Sequence, residues 1–143
     1  MDHPGLPDPG LELGVKFLPE DPPRRFAVDQ PAAVPTPLFL SDCGDLELDP
    51  DEQVTFATES GAEYDVARKS WGYYATPSLN GRLVKFGLRA VLVRDEARKY
   101  VVLLVERGHE SDFQKYLDLE GYVIVCWMDS TEALQALEAT LAR

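Results

Sequence analysis

The stretch LRAVLVRDEARKYVVLLV, residues 88–105, decides the fold. Leu88–Val93 and Tyr100–Val105 are short runs of β-branched and large apolar residues, apolar on both faces, as in strands covered on both sides. The charged Arg94–Lys99 segment between them reads as a hairpin connection. A third run of the same character, YVIVCWM, occupies 122–128.

Between the second and third runs, residues 109–120 carry Phe113, Tyr116 and Leu117 at i, i+3, i+4 and stop at Gly121, the pattern of an amphipathic helix with a glycine end. A second helix starts at Asp129-Ser130-Thr131-Glu132. This reads as a capping box in which Asp129 accepts an amide and Glu132 reaches back. Leu134, Leu137 and Leu141 then form its buried face. The order is β-β-α-β-α, and the helix joining 99–105 to 122–128 implies that these two strands are parallel through a right-handed crossover.

Upstream, residues 45–48 read as a short strand, and Asp49-Pro50-Asp51 as a turn. Residues 52–58 and 62–67 alternate apolar and polar around a Ser60-Gly61 turn, the pattern of half-buried antiparallel strands. The expected fold class is α+β: a mixed, mainly antiparallel sheet with two C-terminal helices. Residues 1–37 hold nine of the eleven prolines. Proline removes an amide donor and fixes φ, which excludes a helix or a central strand there. An extended arm is expected over 1–37, with Leu11, Leu13, Val15, Phe17 and Leu18 available to lie on the domain or on a partner. A single α+β domain is expected over 38–143, its regular structure starting near Leu38.

Composition narrows the function. A net charge of −11 argues against general affinity for nucleic acid or anionic membranes. No apolar run approaches the ~20 residues of a membrane span. MDHPGLPDPG has neither the basic nor the apolar region of a signal peptide, so a cytoplasmic protein is expected. Cys43 and Cys126 are too few for a disulfide scaffold and lack metal spacing. Two histidines, no CxxC and no HxxxH leave little for a metal. Asp42, Asp45, Asp49 and Asp51 lack the spacing of a calcium loop. There is no P-loop and no GxGxxG, so no cofactor is expected.

The charge is unevenly spread. Residues 66–94 hold six basic side chains and no acid, so the other 114 residues carry −17. Arg68 and Lys69 open this segment, and Trp71, Tyr73 and Tyr74 follow. Thr76, Ser78, Asn80 and Gly81 then form a loop, and Arg82, Lys85 and Arg89 close it. Arginine forks suit phosphate, sulfate or carboxylate, hydroxyls and amides orient oxygens, and the rings frame an organic part. The same residues can instead serve the fold: Asn80-Gly81 is a hairpin-turn dipeptide, Trp71, Tyr73 and Phe86 can be core, and the cations can pair with surface acids.

RKSWGYYATPSLNGRL (68–83), FGLRAVLV (86–93) and YVVLLVERG (100–108) together resemble a family of small bacterial proteins of unknown function, the likeness covering roughly residues 60–130. That resemblance implies a connection to biosynthetic gene clusters for sugars or specialised metabolites. It carries over no catalytic residue.

The first functional expectation is therefore an anionic small-molecule site. Arg68, Trp71, Thr76, Ser78, Asn80, Arg82 and Arg89 would bind the ligand. Lys69 with Tyr73 or Tyr74 would form the acid–base pair, because a nearby cation stabilises phenolate. A group transfer, elimination or cyclisation that expels an anion fits such a site. The second expectation is a protein-interaction module that docks an acidic partner, or a second copy of itself, through the basic face and the arm. The third, a single-stranded nucleic-acid binder stacking bases on Trp71, Tyr73 and Tyr74, conflicts with the −17 carried elsewhere. Outside the segment, His109 at a helix start is a candidate base, and Glu63 and Asp65 are placed to orient the arginines. Cys43 lacks a basic neighbour in the sequence, and Cys126 sits in an apolar strand.

Overall fold

A computed structural model describes residues 14–28, 39–74 and 77–142 of the chain. They form eight strands and three helices: β1 (Lys16–Ala27), β2 (Phe39–Glu47), β3 (Gln53–Ala57), β4 (Glu63–Lys69), β5 (Gly72–Tyr74), α1 (Arg82–Lys85), β6 (Leu88–Arg94), β7 (Tyr100–Glu106), α2 (Glu110–Glu120), β8 (Val123–Trp127) and α3 (Thr131–Leu141). All strand pairs are antiparallel, in three sheets ordered β1-β2, β3-β4-β5 and β7-β6-β8, so the architecture is α+β.

The β7-β6-β8 sheet holds most of the core. β6 and β7 run antiparallel from Leu88↔Glu106 to Arg94↔Tyr100, and Asp95 N–H closes the turn onto Lys99 O (3.1 Å). β8 pairs with the other side of β6, with a bulge opposite Leu92–Val93. Of the three apolar runs expected to be central, only β6 has a strand on both sides. β7 and β8 are edges, parallel to one another but separated by β6. Alternate residues of β6 feed two apolar clusters. Val91 and Val93 meet Val105, Leu117 and Phe113 beneath α2. Leu88 and Ala90 meet Ala62 and Leu83, with Tyr64, Leu79 and Met128 around them.

Leu83 is fully buried and belongs to α1, a single turn that follows the loop expected up to Gly81. Ser78 starts it: its Oγ accepts from Arg82 N–H (2.9 Å), and its carbonyl accepts from Leu83 N–H (3.1 Å). Asn80-Gly81 thus leads into a helix rather than turning a hairpin. Four residues are too few to display a 3.6-residue period, which is why α1 is invisible to pattern.

α2 ends as expected. Gly121 adopts the left-handed conformation (φ 68°), where a side chain would be strained, and Tyr122 N–H bonds Leu117 O (3.0 Å). α3 differs in two respects. Its cap is Ser130, whose Oγ accepts from Ala133 N–H (3.1 Å), while Asp129 is drawn to Arg89. Its leucines are not a buried face either: no residue of α3 is buried, and Leu141 is 75% exposed. α2 already covers one face of the sheet. On the other face, Met128 packs beside Leu83 and Ala62.

Among the described residues the first regular element starts at Lys16, inside the proline-rich segment. β1 and β2 form a two-stranded ladder whose register shifts between Pro19 and Arg24, where Pro22 and Pro23 offer no amide hydrogen. Opposite Pro19, a Cβ on Gly44 would run into the Leu18 carbonyl and the Pro19 backbone, so only glycine fits. This hairpin makes no extended packing contact with the other elements. Leu11 and Leu13 lie outside the described residues.

Candidate functional site

The basic segment does not converge on one pocket. Arg68 with Lys69, Arg82, and Arg89 occupy three separate places, and at each the fold supplies an acceptor. Arg68, Lys69, Trp71, Tyr73 and Tyr74 lie together on the β4–β5 hairpin, where Arg68 faces Tyr73 across the ladder. Arg68 donates to two backbone carbonyls, Leu48 O from Nη1 and Lys69 O from Nε (both 3.1 Å). Lys69 Nζ pairs with Asp51 (2.7 Å). The rings of Trp71, Tyr73 and Tyr74 are exposed. Arg68 and Tyr73 do line a cavity of about 610 Å³ with Lys16, but Glu47 and Asp49 line it too.

Arg82 is elsewhere. Its Nε donates to Asp65 (2.8 Å) and its guanidinium lies 4.4 Å from the Phe86 ring centre. Asp65 is buried and also accepts from Thr55 Oγ1 (2.7 Å). These two bonds, Thr55 first and Arg82 next, hold its carboxyl below the usual range. Ser78 Oγ accepts from the Arg82 N–H at the start of α1, and Asn80 Nδ2 donates to Thr131 Oγ1 (3.0 Å).

Arg89 points to the α2 side of the central sheet. It bonds Asp129 (Nε, 2.6 Å) and Glu110 (Nη1, 3.2 Å) and stacks 4.1 Å from the centre of the Trp127 ring. Asp129 above all pushes the Arg89 pKa further up. Thr76 lies outside the described residues. The structure therefore groups Arg68, Lys69 and the aromatics and sets Arg82 and Arg89 apart from them, each on its own carboxylates.

A different constellation forms where the β3–β4 turn, the end of α1 and the β7–α2 junction meet. Glu106 Oε1 accepts from Thr58 Oγ1 (2.5 Å) and Ser60 Oγ (2.7 Å), while Oε2 lies 2.8 Å from His109 Nε2. Asp112 stands 3.8 Å from His109 Nδ1. The Thr58 and Ser60 hydroxyls, in that order, hold the Glu106 carboxyl below its ordinary range. Ser60, Glu106 and His109 line a cleft of about 260 Å³ together with Lys85 and Arg107. Arg107 Nη2 donates to Val84 O (2.8 Å), and among the described residues neither Lys85 nor Arg107 forms an ion pair. His109 was legible in the sequence as a helix-start imidazole. Thr58 and Ser60, more than 40 positions away, carried no such signal.

The remaining feature is apolar. Leu134, Leu137 and Leu141 run along α3 and, with Glu138 and Ala142, form an open, nearly flat apolar surface. Tyr100, Val102, Val123 and Val125 are exposed on the edge strands, and Phe17, Leu18, Phe39 and Leu40 on the β1–β2 hairpin. No helix among the described residues is long and apolar enough to cross a membrane. No protein-family model, no curated protein and no solved structure matches the chain.

Proposed function

We propose that this chain is a protein-interaction module that docks through the leucine stripe of α3. The observation that carries this reading is that α3 displays Leu134, Leu137 and Leu141 yet, among the described residues, makes no extended packing contact with any other element. A helix of 11 residues is only marginally stable alone in water, because isolated helices need ~12–15 residues even with favourable composition. Its stability has to come from burial of its apolar face, and its own sheets do not provide that burial. Each leucine transferred from water contributes about 1.5–3 kcal/mol, so a partner surface that covers the stripe stabilises helix and complex together. The exposed apolar side chains of the β1–β2 hairpin add a second surface of the same kind.

The competing reading, an anionic-metabolite site spanning Arg68 to Arg89, has less support. Lys69, Arg82 and Arg89 are already neutralised by Asp51, Asp65, Asp129 and Glu110, and Lys69 is bonded to Asp51 rather than to a phenol. A role as an accessory protein in a bacterial biosynthetic assembly is compatible with docking and requires no catalytic residue.

A photo-crosslinking amino acid at position 137, compared with one at Ala139 on the opposite side of α3, tests this proposal in the producing cell. Discrete adducts are expected from position 137 and not from 139. Equal labelling from both positions, or none from 137, would sink the docking assignment.

A further inference from the structure

We infer that the leucine stripe of α3 docks on the open end of the β7-β6-β8 sheet of a second copy of this chain, in a reciprocal exchange. This names the partner for the docking proposed above and rests on that proposal. The two faces of the sheet are covered unequally. Val91, Val93 and Ile124 lie on the face that packs with Phe113 and Leu117 of α2. On the opposite face, Leu88, Ala90 and Leu104 pack with Ala62 and Leu83, which cover one end of the strands. The register places Leu92 beside Val102 and Cys126, and Arg94 beside Tyr100 and Val123, at the other end of that same face. Tyr100, Val102 and Val123 are 55%, 54% and 50% exposed there.

The chain thus carries two apolar surfaces, a sheet end and a helix stripe, that do not pack on each other within one copy. It leaves β8 through Met128, which belongs to the covered cluster, and Asn80 Nδ2 bonds Thr131 Oγ1 (3.0 Å), so α3 starts at the covered end. The two surfaces match in size. Leu134 to Leu141 spans about 10 Å along a helix, and three strands span about 10 Å across a sheet. They also match in charge. Among Leu92, Arg94, Tyr100, Val102, Val123 and Cys126 the charged residue is Arg94, whereas Thr131–Leu141 holds Glu132 and Glu138 and no base. Glu138 stands beside the three leucines. A two-fold axis gives each stripe a sheet and each sheet a stripe, covering both surfaces of both copies by two equal contacts. A foreign partner would have to match the two surfaces separately.

The test uses the full chain. Sedimentation velocity over a concentration series should show a reversible dimer. Leu137→Glu and Val102→Glu, both at exposed positions, should each weaken it about tenfold or more, because each sets a charge against an apolar surface. Arg94→Glu should weaken it several-fold, and adding Glu138→Arg should restore it, a rescue that misfolding cannot produce. A photo-crosslinking amino acid at position 137, in a mixture of ¹⁵N-labelled and unlabelled chains, should join a labelled peptide to an unlabelled one at Tyr100–Val102 or Val123. A monomer at every concentration would overturn the inference, as would a dimer indifferent to Val102→Glu or adducts confined to a single chain. Adducts in cells that join position 137 to a different protein, with the purified chain monomeric, would overturn the second-copy partner and leave docking through α3 standing. Absence of any adduct from position 137 would sink both.

Discussion

Removing the Arg82 side chain tests whether this arginine belongs to the fold or to a ligand. In the structure it donates a 2.8 Å charge-assisted bond to Asp65 and lies over Phe86. Such a bond contributes about 1.5–3 kcal/mol when both partners are desolvated. Asp65 is buried but the Arg82 side chain is 48% exposed, so solvent screening reduces the figure to about 1 kcal/mol. The guanidinium–ring contact adds about 0.5 kcal/mol. Arg82→Ala should therefore lose about 1–2 kcal/mol, a fall in Tm of roughly 3–6 °C for a chain of this size. Asp65→Ala should cost at least as much, because Thr55 loses its acceptor as well. In a double-mutant cycle by urea denaturation at pH 7, the coupling should be about 1 kcal/mol.

The pH dependence has a definite sign. The folded carboxyl of Asp65 titrates below its unfolded value of about 3.9, so its contribution is fully present above that pH. It is lost as pH falls through the folded value. Arg82→Ala removes one of the two bonds that depress the folded pKa, so the variant should lose less stability than the parent between pH 5 and pH 2. The bond from Thr55 remains, so the acid sensitivity should shrink and not vanish. Coupling below about 0.3 kcal/mol, together with an unaltered acid limb, would refute the reasoning. Arg82 would then be released from Asp65 and again available to an anion.

Two further outcomes follow from the packing. Leu83→Ala should cost about 2–5 kcal/mol by calorimetry or denaturant titration, because Leu83 is fully buried where α1 meets the central sheet. A cost under 1 kcal/mol would mean that α1 is not held there. Arg89→Lys should lose about 1–3 kcal/mol and alter the fluorescence of Trp127, since an ammonium cannot reproduce the fork to Asp129 and Glu110 while stacked on the indole. An unchanged emission spectrum and melting curve would contradict that geometry.

Features encoded within a few neighbouring residues were legible in the sequence. The β6–β7 hairpin could be read because apolar runs flank a charged turn. α2 could be read because Phe113, Leu117 and Gly121 stand at helical spacing. Some features depend on which distant segment arrives, and these could not be read. Asp65 reaches Arg82 across 17 positions and Asp129 reaches Arg89 across 40, so in a segment that looked like unopposed positive charge Lys69, Arg82 and Arg89 meet carboxylates in space. The same limit applied to α3. Its leucine spacing specifies an apolar stripe, but whether that stripe meets a sheet is decided by the tertiary arrangement.

By itself the sequence determined the α+β class, the apolar runs that become β6, β7 and β8, and the amphipathic character of α2 and α3, because backbone periodicity and apolar pattern are local properties. Only the tertiary structure decided which strand is central, which acids meet which bases, and which apolar face is left without cover. Hydrogen-bonded ion pairs and apolar contacts form only at separations of a few ångströms, and the fold alone sets which residues come that close.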